Sequence, residues 1–292
     1  MTDPVAAPAT DAAVDPATAA EPEVSPLRRR LGWVAVGIWA TALVVFIATQ
    51  GFPFDRGYQT LWILSGLVAA SVGRTWRHVG RIFVDWIPVI VILYLYDFSR
   101  HAAEALGRPV AITPQIDADR LLFFGVVPTV WLQEHVYDPN ATHWWDAVGS
   151  LWYISHFLGV WAIAAILYLR DRDHWFRWTR ALVALSFAGL VTFALIPTAP
   201  PWYAAREGLL PAIDRISTRG LDMVGLHGAK QLIDLGAATA NDVAAIPSLH
   251  TAFAVLIAVW FWPRVPQQHR WWLRPFLVAY PIVMLAVLVY SG

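Results

Sequence analysis

AAIPSLHTAFAVLIAVWFW, residues 244–262, decides how this chain is read. After His250 the stretch carries no charge and runs apolar to Trp262, yet its entrance holds a proline, a serine and a histidine. An apolar run of this length belongs in lipid, where about 20 residues rising about 1.5 Å each cross about 30 Å of hydrocarbon. A polar doorway on such a run asks for a reason beyond crossing the membrane.

The rest of the chain supports the membrane reading. Of 292 residues, 58% are hydrophobic, and the mean hydropathy is +0.50. Seven apolar runs stand out, at 31–50, 59–73, 82–98, 147–169, 181–197, 246–262 and 275–290. They are continuous and do not alternate in ten-residue segments, so the expected fold class is all-α, a polytopic helical membrane protein with about seven transmembrane helices, and not a β-barrel. Several of the 17 tryptophans (Trp33, Trp62, Trp76, Trp144, Trp145, Trp202, Trp262, Trp271, Trp272) lie near run ends, as interfacial anchors do.

The formal net charge is zero, so nothing points to nucleic acid as a partner. Cysteine is absent, which removes disulfides, thiolate nucleophiles and cysteine metal sites. Residues 1–30 read as a disordered cytoplasmic tail with a basic end: Ala and Pro dominate, the charges up to Glu23 are all acidic, and Arg28, Arg29 and Arg30 precede the first run. Counting runs from there, Arg74, Arg77 and Arg81, then Arg170, Arg172, Arg177 and Arg180, then Arg264, Arg270 and Arg274 all fall on the cytoplasmic side. The opposite face receives two long segments, 98–146 and 198–245. In the first, DADRLLFFGVVPTVWLQEHVYDP reads as a helix lying on the membrane surface. The expected location is a bacterial plasma membrane with the N-terminus inside. On this topology TAPPW (198–202), PSLH (247–250) and the final Tyr290-Ser291-Gly292 meet on the non-cytoplasmic face.

Pro suits the first position of a helix. With Pro247 there, the amides of Ser248, Leu249 and His250 lack intrahelical acceptors and stand at the positive end of the helix dipole, a ready anion site. The Ser248 hydroxyl adds a donor, and His250 can protonate a departing oxygen. A capping Ser248 and an interfacial His250 explain the same residues without any ligand.

PSLH together with TAPPW resembles the second and first signature segments of the type-2 phosphatidic acid phosphatase superfamily, in the branch that contains the inositol phosphorylceramide synthases. The similarity covers roughly 85–292, making 82–292 the phosphatase-like membrane domain and 31–81 two preceding helices. The resemblance implies a phosphohistidine mechanism without metal or other cofactor. His250 is then the general acid, and Ser248 and the Leu249 amide hold phosphate. The nucleophilic histidine and its orienting aspartate belong to a third segment reading Ser-Gly-x-His-Tyr-x-x-Asp. The sequence ends at Ser291-Gly292, where that segment opens, so the 292-residue chain is expected to be inactive until the segment is restored.

The wider superfamily begins its first segment with Lys, six residues and Arg-Pro. Arg100 with Arg108-Pro109 has the wrong spacing, and Arg274-Pro275 lies on the wrong side. Arg206 is therefore the candidate cation for phosphate, because a guanidinium matches phosphate as a two-pronged fork, although a solvated loop arginine explains it equally. Pro201, Trp202, Tyr203 and His227 are candidate pocket residues. His156 inside the fourth run is expected to make an interhelical hydrogen bond, and Asp85 and Asp97 to pair with arginines. His135, His143 and His227 match no metal spacing. The expected function is transfer of a phospho-headgroup, with inositol phosphate as one instance, from a membrane lipid substrate on the non-cytoplasmic leaflet. A lipid phosphate or polyprenyl pyrophosphate phosphatase is the alternative, and an inactive scaffold or lipid-binding protein the third reading. A transporter would need charged or broken spans in matching halves, which the sequence lacks.

Overall fold

The computed structural model describes residues 26–50, 56–104, 106–238 and 242–292. The acidic tail and the side chain of Asp97 lie outside the described residues. The elements are α1 (Pro26–Gln50), α2 (Arg56–Ala70), α3 (Trp76–Glu104), α4 (Thr113–Leu122), α5 (Pro128–His135), α6 (Trp144–Arg170), α7 (Arg172–Leu195), α8 (Pro201–Arg206), α9 (His227–Ala238), α10 (Leu249–Phe261) and α11 (Arg270–Ser291). No strand forms among the described residues, only two isolated parallel bridges. The all-helical expectation holds.

Helices occupy all seven apolar runs, but seven full crossings are not obtained. Four helices are long and apolar enough to span a bilayer, and a fifth span results if Trp144–His156 and Leu158–Arg170, bent by 43°, are taken together. At 15 residues α2 reaches about 22 Å, and the 13 residues of α10 reach about 20 Å, both short of about 30 Å of hydrocarbon. The shortness of α2 matches its 15-residue apolar run, whereas that of α10 was hidden because the apolar composition of 246–262 begins three residues before the helix does.

Large apolar side chains on the outer helices stand exposed, among them Trp33 and Ile38 on α1 and Trp271 and Ile282 on α11. In water such a surface would be prohibitive, whereas lipid tails accept it. The core lies between α2, α3, α6 and α7, where Leu67, Ile82, Trp86, Ala164, Trp175 and Trp178 are almost wholly buried. Trp86 packs on Trp175 at 5.3 Å and on Tyr168 at 5.9 Å between ring centroids. Beside this stack Arg172 donates to both carboxylate oxygens of the buried Asp85, at 2.7 and 2.5 Å, and Tyr168 adds a third bond at 3.0 Å. The expected pairing of Asp85 with an arginine is thus observed, and it joins α3 to the start of α7.

Two tertiary devices position the polar end of the bundle. First, Thr198, buried after the end of α7, forms four hydrogen bonds with 243–246. Its amide donates to Val243, its carbonyl accepts from Ala245, and its hydroxyl both donates to and accepts from the Ile246 backbone. Ala111 pairs on the other side, with Pro197 and Ala199. Second, the buried Gln133 of α5 donates to the carbonyls of Asp214 and Tyr290 and accepts from the Asp214 amide, while the Ile216 amide donates to Ser291. The 213–217 loop is thereby fixed to the end of α11. A short 3-10 turn, Arg219–Val224, follows. Gly220 lies so close to the Asp146 backbone at the head of α6 that any Cβ would collide with it.

Three outcomes follow for thermal unfolding in detergent. Asp85→Ala leaves Arg172 facing a desolvated gap and costs about 2 kcal/mol, discounted for the half-exposed guanidinium; Asp85→Leu with Arg172→Met recovers most of it. Thr198→Val strands both Ile246 backbone groups and costs about 1–3 kcal/mol, whereas Thr198→Ser stays near wild type. Gly220→Ala lowers the transition by more than a typical surface substitution, and a wild-type transition would remove the claimed contact.

Candidate functional site

The 243–246 segment, paired with Thr198, delivers the chain to α10 with Ser248 as its N-cap and Leu249 as the first helical residue. This corrects the expectation that Pro247 opens the helix: Ile246 is bonded to Thr198, Ile246 and Pro247 form a bend, and the helix starts two residues later. Its first intrahelical bond runs from the Ala252 amide to the Ser248 carbonyl at 2.9 Å. The amides at the dipole's positive end are therefore those of Leu249, His250 and Thr251. The Ser248 hydroxyl makes no capping bond, so the simple cap reading does not describe it. The Thr251 hydroxyl, buried in the first turn, finds no hydrogen-bond partner among the described residues.

Leu249 and His250 point to different neighbours. The Leu249 side chain fills the gap left by Gly189 of α7, where an added Cβ would come within 2.9 Å of it. The His250 ring stacks on Tyr153 of α6 at 4.9 Å and lies 4.3 Å from the His156 ring, which in turn stacks on Phe253 at 5.2 Å. Nε2 of His250 and Nδ1 of His156 are both shut off from solvent. The sequence assigned His156 an interhelical hydrogen bond and did not place it beside His250. Its approach to His250 comes from the i, i+3 spacing of Tyr153 and His156 on α6 and of His250 and Phe253 on α10, two faces that meet.

TAPPW continues from Thr198 into α8, whose Pro201 and Ala204 border a small cavity with Ile116, Asp119 and Leu210. Burial there raises the Asp119 carboxyl above the usual carboxylate range. Trp202 carries two guanidinium groups against its ring, Arg215 at 4.5 Å and Arg206 at 5.4 Å. Arg206 also lies over Tyr203 at 4.3 Å and between two carboxylates, Glu207 at 3.7 Å and Asp242 at 3.6 Å. Arg215 was not singled out from the sequence, and nothing in DRIST separates it from a loop arginine.

The structure brings Ser248, Leu249 and His250 together with α6, and Pro201, Trp202 and Tyr203 together with Arg206. It links the two groups through Thr198, which pairs the start of TAPPW with 243–246, and Arg215 of the 213–217 loop reaches Trp202. The end of α11 joins the same loop through Ser291, and Tyr290 donates to Asp146 at 2.8 Å. The three segments that the sequence placed on one face thus converge. His227 instead bonds to Asp222 at 2.8 Å and is more than half exposed. His135 stacks on Trp131 at 4.6 Å and His143 on Trp145 at 4.3 Å. Among the described residues no group of three His, Cys, Asp or Glu side chains could hold a metal.

The PAP2 superfamily matches residues 116–292, well over half the chain and including α8, α10 and α11. A phosphoinositol dihydroceramide synthase of Bacteroides thetaiotaomicron is 23% identical over 191 residues, covering 62% of this chain and 60% of that protein. The chain therefore spans somewhat less than two thirds of that relative's length. No solved structure matches. Taken with its apolar helices, these comparisons make the chain an integral membrane protein of the PAP2 superfamily.

Proposed function

We propose that this protein transfers a phospho-headgroup from a membrane lipid to a lipid or glycolipid hydroxyl, at the non-cytoplasmic leaflet, through a phosphohistidine. The observation that carries the reading is the start of α10. Three amides without intrahelical acceptors, a cap serine that makes no capping bond and a buried threonine hydroxyl lie in or just before its first turn, which also carries His250. Those donors suit the non-bridging oxygens of a phosphoryl group. In this proposal Ser248 and the amides of Leu249 and His250 bind those oxygens, and His250 gives its proton to the oxygen that leaves.

The superfamily pattern places the nucleophilic histidine in the third segment, which opens at Ser291-Gly292. The convergence of α11 with the 213–217 loop supports delivery of that segment to the same region. The likeness to a protein named phosphoinositol dihydroceramide synthase supports inositol phosphate as the headgroup. Five exposed apolar residues at the end of α4 and in the turn after it support an interfacial location: Leu121, Leu122, Phe123, Phe124 and Val126, with Phe124 97% exposed.

The test uses membranes containing the full-length protein and a labelled phosphoinositol lipid, with and without a ceramide-like alcohol. Label moving to the alcohol is expected. Free phosphate released at the same rate regardless of acceptor overturns transfer in favour of hydrolysis. His250→Ala should cut turnover by about 10²–10⁴-fold, and a wild-type rate would remove the assigned acid. In a separate measurement, a Ser248→Cys thiol should react with an impermeant maleimide added from outside intact cells. Labelling only after permeabilisation would reverse the orientation.

A further inference from the structure

A phosphoryl group at the start of α10 meets donors there but only about half a positive charge from the helix dipole. A dianionic or monoanionic group leaving water needs a full cation nearby, and a guanidinium supplies both charge and a two-pronged fork. The choice among the arginines near TAPPW turns on which charge is already committed. Arg206 is faced by Glu207 at 3.7 Å and Asp242 at 3.6 Å. Arg219 donates to the carbonyls of Asp138 and Ala141, at 2.5 and 2.6 Å, and to the Thr142 hydroxyl at 3.3 Å. For Arg215, no carboxylate lies within ion-pairing distance among the described residues. The neighbouring Asp214 carboxylate turns away and accepts from Tyr137 at 2.9 Å.

Arg215 is also held where a phosphate cation is needed. Its guanidinium rests on the Trp202 ring at 4.5 Å, within the TAPPW segment. Trp202 belongs to the segment that Thr198 joins to 243–246, just before the start of α10, where the Tyr153 ring covers His250 at 4.9 Å. The residues on either side of Arg215 are clamped, Asp214 by Gln133 and Ile216 by the Ser291 carbonyl. A fixed backbone with an exposed side chain can meet an incoming headgroup with little ordering cost.

We propose that Arg215, and not Arg206, is the cation that binds the substrate phosphate, bridging the Trp202 segment and the start of α10. This rests on the phosphoryl-transfer reading above. The guanidinium binds two non-bridging oxygens, and His250 is left free to serve the bridging one. The site accordingly takes a phosphomonoester or phosphodiester anion.

The experiment measures turnover of labelled phosphoinositol lipid and inhibition by orthovanadate on the full-length protein in membranes. Arg215→Gln is expected to lower kcat/KM and weaken vanadate inhibition together, each by about ten- to a hundredfold. Arg215→Lys should fall between Gln and wild type, because charge persists while the fork is lost. Size-exclusion profiles in detergent establish that both variants are folded, and the Lys variant keeps a readout should the Gln variant misfold. Arg215→Gln within threefold of wild type in vanadate inhibition overturns the assignment, as does a larger loss for Arg206→Gln than for Arg215→Gln. His250→Ala separates the two readings. If it abolishes turnover while Arg215→Gln binds vanadate normally, only the Arg215 assignment fails; if it turns over normally, the acid assignment fails and vanadate still decides Arg215.

Discussion

The clamp that Thr198 makes on 243–246 sets the geometry of everything at the polar end of this protein. Its amide, carbonyl and hydroxyl bind a segment 48 residues away and use up backbone groups that would otherwise need a helix. Two consequences follow from one set of bonds. The TAPPW segment and the start of α10 lie side by side, and α10 begins at Leu249 with its free amides beside His250. A helix that began earlier would carry the same sequence but point its donors elsewhere.

Around that clamp, polar groups inside the apolar bundle are handled by pairing. Asp85 receives two bonds from Arg172 and one from Tyr168, so a carboxylate among Trp86 and Trp175 is fully engaged. Asp146 is engaged at both oxygens, by the His143 amide and by Tyr290. The Thr251 hydroxyl is buried without a partner among the described residues, as are the indole nitrogens of Trp86 and Trp175 in the core. It differs from them in standing in the first turn of α10, the turn in which the proposed anion would bind.

Several site residues were legible because their surroundings in sequence are anomalous. Ser248 and His250 interrupt an apolar run, and TAPPW ends one, so composition alone makes them conspicuous. Asp85 was legible for the same reason, but the identity of its arginine was not. Pro247 suits a helix start, yet it precedes the cap by one residue, because Ile246 is bonded to Thr198 and forms a bend with Pro247. Arg206 lies closest in sequence to Trp202 and is faced by two carboxylates. His227 falls on the right segment but bonds to Asp222. Arg215 gave no signal, because its position depends on Gln133 reaching Asp214 and Tyr290, the latter 157 residues away.

That this is a helical membrane protein could be read from the chain alone, and PSLH and TAPPW could be singled out there as polar or proline-rich breaks at the ends of apolar runs. Apolar runs have no other way to satisfy their backbone in lipid. The place where α10 begins, the meeting of His156 with His250 and the seat of Arg215 on Trp202 emerge only in the folded molecule. Those outcomes rest on contacts between segments distant in the chain, whose energies depend on three-dimensional neighbours that no local pattern of residues encodes.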